Sequence, residues 1–194
     1  MMTISPATYT WLVDAFTDHE IELTMFSAMF VTGLTPVEVF QRLGLAPAPA
    51  DGFPALGDMD SFAAYETDGG SVLAAVGWEL SDYELGMRLS VDTAIVSLYI
   101  GVNKDRFTYF ADGQEVTEFE VAFPQGRSGS DPDRLVPHLQ RLGMPVDEED
   151  DDDGFYGRAA SSSALALAAI VTGAHLTPAH LTRPGLTGTM ASLL

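Results

Sequence analysis

Residues 93–123, TAIVSLYIGVNKDRFTYFADGQEVTEFEVAF, decide the fold, because hydrophobic pattern and turn chemistry agree there. Alternating segments flank Asp112-Gly113, a pair that tolerates the positive backbone angles of a two-residue hairpin turn. The stretch predicts three antiparallel strands. Further strand patterns lie close to it and helix patterns lie towards both ends. The fold expected is therefore α+β: an antiparallel sheet of about five strands with helices packed on one face. Such a scaffold hosts many functions and specifies none by itself.

Upstream, Ser5 is placed to cap a first helix and Pro6 suits its first position. Tyr9, Leu12, Val13 and Phe16 then follow at helical spacing. Ile21, Leu23 and Met25 alternate with Glu22 and Thr24, which predicts a strand continuing towards Phe30. Thr35-Pro36-Val37-Glu38 matches a capping box and starts a short helix through Val39, Phe40 and Leu43 that closes at Gly44. Residues 45–60, rich in Ala, Pro, Gly and Asp, read as a loop, followed by a brief helix near Ser61 to Tyr65. The Asp68-Gly69-Gly70 turn then leads into a strand from Val72 to about Leu80, with Gly77 inside it marking a bulge or a close backbone approach.

Downstream, QGRSGSDPDRL reads as polar loop, and Asp131-Pro132 opens a helix that carries Leu135, Leu139 and Leu142 and ends at Gly143. The acidic run from Asp147 to Asp153 cannot pack and reads as a self-repelling linker. This divides the chain into an α+β domain at 1–146, a linker at 147–153 and a helical segment at 154–194. The last should fold back through the Ala164–Thr172 helix, since an exposed ALALAAIV face would be an aggregation or docking surface. Val31-Thr32-Gly33-Leu34-Thr35-Pro36 is echoed at Val171-Thr172-Gly173 and Leu176-Thr177-Pro178, which reads as repeated capping chemistry rather than a repeat architecture.

The order of these phrases carries a resemblance. GLTPVEVFQRLG at 33–44, Gly-Trp at 77–78 with Glu84 after it, SLYIGVNKDRFTYFADGQ at 97–114, Phe-Pro followed by GSDPDRL at 129–135, and ALALAAIVTG at 164–173 resemble an uncharacterised family of actinobacterial proteins. The resemblance covers most of the chain. It implies one intact domain in a cytoplasmic setting and brings no activity, cofactor or catalytic residue with it.

Charge is the unusual property: the formal net charge is −19 over 194 residues. All 28 acidic residues lie at or before Asp153 with seven of the nine Lys and Arg, while the remainder holds only Arg158 and Arg183. Such a field repels nucleic-acid phosphates and anionic membranes and speeds encounter with a basic partner. The absence of cysteine excludes disulfides, thiolate catalysis and cysteine-held metals, and fits a reducing cytoplasm. Ala164 to Val171, the longest apolar block, is far short of the roughly 20 residues of a membrane-spanning helix. An N-terminus without a basic region or long apolar run predicts no signal peptide.

No motif assembles a catalytic centre. His19, His138, His175 and His180 are scattered. The last two stand five apart across a proline, without the spacing of a helical metal pair, so no metal site is expected. Gly126-Arg127-Ser128-Gly129-Ser130 lacks the strand-to-helix setting of a nucleophile elbow. Lys104 is the only lysine and no glycine-rich phosphate cradle is present, so no cofactor is expected. Glu118 with Glu120 on one strand face, or Glu79 with Glu84 about a bulge, would be the acid and base of a hydrolase, although pairs are expected by chance among so many acids.

The function expected is a non-enzymatic, acidic protein-interaction module. Its concrete form is an immunity- or antitoxin-like inhibitor that covers a basic site by electrostatic complementarity. The residues expected at the contact are Trp78, Tyr83, Glu84, Glu118, Glu120, Arg127 and Asp131. Two alternatives stand beside it: a regulatory or assembly subunit docking through its C-terminal helix, and a carboxylate-dependent hydrolase.

Overall fold

The structure, a computed structural model, describes residues 3–17, 26–51, 61–76, 80, 83–101, 105–147 and 155–189. Among them nine strands form one sheet: β1 Phe26–Thr32, β2 Ala48–Asp51, β3 Ser61–Thr67, β4 Gly70–Val76, β5 Ala94–Ile100, β6 Arg106–Ala111, β7 Gln114–Glu120, β8 Phe123–Ser128 and β9 Pro184–Thr189. Their order is β2-β9-β3-β4-β1-β5-β6-β7-β8, with every neighbouring pair antiparallel. The helices are α1 Thr10–Thr17, which continues a 3-10 turn over Pro6–Tyr9, α2 Pro36–Leu43, α3 Tyr83–Leu89, α4 Val136–Arg141 and α5 Gly157–Thr172.

The meander forms as its sequence dictates. Asp112 and Gly113 take φ of 51° and 75°, the two positive values that match a tight hairpin to the twist of its strands. Thr93 and Ser90 carbonyls accept the N–H groups of Asp112 and Gly113, tying the turn to the residues before β5. The β6–β7 register shifts between Tyr109 and Phe110, where β7 spends one extra residue, Val116, in a bulge.

Two expectations are corrected: the sheet has nine strands rather than about five, and helices cover both of its faces rather than one. β1, β4 and β5 are buried at almost every position, so both sides of the sheet centre need a cover. Phe26, Ala28 and Phe30 of β1 join a core with α1, α4 and α5, while Met29 and Val31 join a second core with α2 and α3. The helix expected near Ser61 to Tyr65 is strand β3, held between β4 and β9. Within the expected loop at 45–60, Ala48–Asp51 is an edge strand, where Pro49 is tolerated. Residues 125–128, the start of the stretch read as polar loop, belong to β8, the opposite edge. α3 replaces what read as a lead-in to the meander, α4 begins at Val136 rather than Asp131, and α5 begins seven residues before Ala164. Of the strand expected from Val72 to about Leu80, the part up to Val76 is described, as β4 Gly70–Val76. Gly77, Trp78, Glu79, His19, Ile21–Met25 and the acidic run beyond Asp147 lie outside the described residues.

α5 is the keystone of the first core. Its residues from Ala160 to Ala169 are buried against β1, β5 and the Pro6–Tyr9 turn. Small side chains let the helix lie close to the sheet. Leu165 and Leu167 fill the remaining depth, each burial stabilising by roughly 1.5–3 kcal/mol. β9 pairs with β3 and β2, so the sheet is completed by chain on the far side of the acidic run.

The repeated Val-Thr-Gly phrases meet in space. Thr32 Oγ1 donates to the Thr172 carbonyl at 3.0 Å. The β3–β4 turn is clamped beside both copies: a Cβ on Gly69 would stand 2.0 Å from the Gly173 carbonyl oxygen, and one on Gly70 2.0 Å from that of Val31. Each copy also ends in capping chemistry, Thr35 for α2 and Thr177 for a 3-10 turn over Pro178–Leu181.

Candidate functional site

The pleat places Thr117 and Phe119 of β7 inward and turns Glu118 and Glu120 to the side of the sheet that carries α3. Across β6 they face Thr108 and Arg106, while Glu115 faces Phe110 beyond the bulge. Among the described residues, three carboxylates thus lie along one strand beside a single guanidinium. Arg106 Nη1 stands 3.5 Å from Glu118 Oε2, with both side chains about a third exposed, a geometry whose contribution is about 0–1 kcal/mol.

The crowding registers in the titration of these groups. Glu115 is held above the usual carboxylate range by partial burial and by the charge of Glu118, with Arg106 opposing. Asp105, just before β6, is raised by burial and by Glu120, although the Gly101 N–H donates to it at 2.8 Å. The strip carries more negative charge than its own residues neutralise.

Of the seven residues the sequence points to, four share this side of the sheet. Tyr83 opens α3 half-exposed, its ring edge-on to Phe110 at 5.8 Å. Glu84 follows in the first turn of α3, exposed, where the helix dipole also favours an acid. α3 sits low on β6 because it has Gly86, whose Cβ would lie 2.6 Å from the Phe110 ring. Glu118 and Glu120 complete the four.

The others are elsewhere. Arg127 on β8 is committed to internal bonds, with Asp133 at 2.7 Å and the Val146 carbonyl at 2.6 Å, and ties the edge strand to the loop after α4. Asp131 serves through its backbone, donating to the Val116 carbonyl and accepting from Thr117 Oγ1, which fixes the bulge. Trp78 lies outside the described residues.

A second feature escaped the spacing rules. Between the β3–β4 turn and residues 175–184 lies a pocket of about 580 Å³ lined by Tyr65, Thr67, Asp68, His175, His180 and Arg183 among others. His175 and His180 do converge, because a 3-10 turn rather than an α-helix separates them. Tyr9 Oη meets His175 Nδ1 at 2.7 Å. Burial pushes the Tyr9 phenol well above its ordinary range and pulls the His175 imidazole down, with His180 adding to the latter and Asp68 opposing. With both groups neutral, Tyr9 Oη and His175 Nδ1 share one hydrogen bond whose direction follows the imidazole tautomer; when Tyr9 donates, the ring proton sits on Nε2.

That Nε2 and Thr67 Oγ1 are both buried without a hydrogen-bonding partner among the described residues. His180 is engaged instead: its Nδ1 accepts the Thr177 N–H at 3.0 Å and its Nε2 lies 3.3 Å from the Glu66 carbonyl. The capping character of Thr177-Pro178 was legible in the sequence, but the role of His180 in that cap was not, nor was the Tyr9 contact, which spans 166 residues. Among the described residues no three His, Asp or Glu side chains converge to hold a metal.

Residues 2–192 match the model of a family of unknown function, DUF6461. The chain belongs to the DUF6461 family. The match runs from the N-terminal helix through the meander and the acidic run to β9, so the resemblance to an uncharacterised family holds over nearly the whole DUF6461 chain. No curated protein and no solved structure matches it. Among the described residues no helix is long and apolar enough to cross a membrane.

Proposed function

We propose that this protein is a non-enzymatic, acidic interaction module of the cytoplasm that receives a basic protein on the side of the sheet carrying Glu115, Glu118 and Glu120. The observation that carries the reading is the alignment of Glu115, Glu118 and Glu120 on one strand across from Arg106, with Glu115 raised by partial burial and then by Glu118, and Asp105 by burial and then by Glu120. Cationic side chains of a partner would relieve that repulsion, so the strip gains more from a basic surface than isolated acids would. Tyr83, half-exposed on a rigid helix at the same side, has the character of a contact anchor. An immunity- or antitoxin-like inhibitor that covers a basic active site is the concrete form.

The alternative of an assembly subunit docking through the C-terminal helix has less to offer, because α5 spends its length in the core and leaves only its first turn outside. The test is kinetic. A partner retrieved with the chain as bait should associate at least about tenfold more slowly as ionic strength rises from about 0.05 M to about 0.5 M. An association rate insensitive to salt overturns the proposal.

A further inference from the structure

The pocket beside the β3–β4 turn has a chemistry separate from the acidic strip. One wall, from the turn and the end of β3, carries the carboxylate of Asp68 and the backbone carbonyl of Glu66; the other, from the acid-free end of the chain, carries Arg183. Between them lie Nε2 of His175 and the hydroxyl of Thr67, both buried and both without a hydrogen-bonding partner among the described residues. Buried polar atoms are rarely left so in folded proteins, and two of them line this one cavity.

The donors define the ligand. His175 offers an N–H in the tautomer whose Nδ1 accepts from Tyr9, Thr67 offers an O–H, and Arg183 offers a charged fork; together they suit a carboxylate. Asp68 would repel a ligand that was only anionic and would favour one with an ammonium at its other end. At about 580 Å³ the pocket is within the range of small-molecule sites and has room for a side chain as well.

We propose that this pocket binds a small zwitterion of amino-acid or dipeptide size, its carboxylate held by Arg183, His175 and Thr67 and its ammonium by Asp68. Tyr9 is a positioning residue: when its hydroxyl donates to Nδ1, Nε2 is the donor. Binding would also secure the junction of the two Val-Thr-Gly phrases, since Thr67 and Asp68 lead into the clamped Gly69.

The experiment is calorimetric titration and thermal shift of the full chain with the standard α-amino acids and a set of dipeptides, each also as its N-acetyl and methyl-ester form. Free zwitterions of one class should bind, and blocking either end should weaken binding about tenfold or more, the scale of one lost charge-assisted hydrogen bond. Whichever size class binds more tightly identifies the ligand. Arg183→Ala and Asp68→Asn change pocket-lining side chains outside the helices and lie at exposed positions, so both variants should fold, as checked by circular dichroism; each should weaken the free ligand by a similar factor. Asp68→Asn should spare the N-acetyl form and Arg183→Ala the ester. Absence of binding at millimolar concentration overturns the proposal, as does binding indifferent to blocking, to both substitutions, or matched by acetate alone.

Discussion

At the scale of single residues, Glu115 shows what crowding costs. Its folded-state pKa is raised above the unfolded value, so the protonated form favours the fold. The stability this gives is full below about pH 4.5 and is lost as pH rises through the raised folded value. Glu115→Gln should therefore be more stable than the parent at pH 7, by about 0.3 kcal/mol, the scale of one exposed charge interaction. The advantage should vanish near pH 4. Urea unfolding at the two pH values measures it, and a variant less stable at pH 7 would contradict the reading. Gly69 is a sharper case. Its absent Cβ makes room for the Gly173 carbonyl 2.0 Å away, so Gly69→Ala must separate the two Val-Thr-Gly copies. A cost of about 1–3 kcal/mol or more is expected in chemical denaturation, the range for overpacking. Local chemistry of this order was partly legible: Asp112-Gly113 and Thr35-x-x-Glu38 form the turn and the cap that their side chains specify. The Tyr9–His175 bond was not, because nothing in either neighbourhood announces a contact 166 residues away.

At the scale of elements, the unreadable strands share one physical cause. β3 contains Ala63 and Ala64 between aromatics, which suits either a helix or a buried strand, and one of its two partners, β9, comes more than a hundred residues later. β9 itself is glycine-rich and falls within 154–194, the stretch expected to be helical. Its glycines are there because a Cβ on Gly188 would meet the rings of Phe62 and Phe40 at 2.8–2.9 Å. The meander was legible because its partners are adjacent in sequence. α5 was legible as a helix, but not as the element that both the sheet and the N-terminal turn rest on. Leu167, fully buried in it, gives the test: Leu167→Ala should cost about 2–5 kcal/mol by equilibrium unfolding. Val37→Ala, on the exposed face of α2, should change stability by no more than about 0.5 kcal/mol. Equal effects would deny α5 its place in the core.

At the scale of the molecule, a net charge of −19 makes the chain repel itself as well as phosphates and anionic surfaces. Added salt should raise its melting temperature at pH 7, and a melting temperature that falls with the first few tenths molar of sodium chloride would show that internal ion pairs outweigh the repulsion. The sign of the field was plain from the sequence. Its focus was not, because only the pairing of β6 with β7 brings Glu115, Glu118 and Glu120 together with Arg106. The central claim is that this strip, and not charge in general, receives the partner. It is tested most directly by the association rate of a captured basic partner with two variants of equal net charge. One carries Glu115, Glu118 and Glu120 as Gln; the other carries Glu148 and Glu149 as Gln and Asp150 as Asn. The strip variant should associate about tenfold more slowly than the parent, within the range that electrostatic steering supplies, while the variant in the acidic run stays within about twofold. Equal slowing in both, or slowing only in the second, would contradict the account.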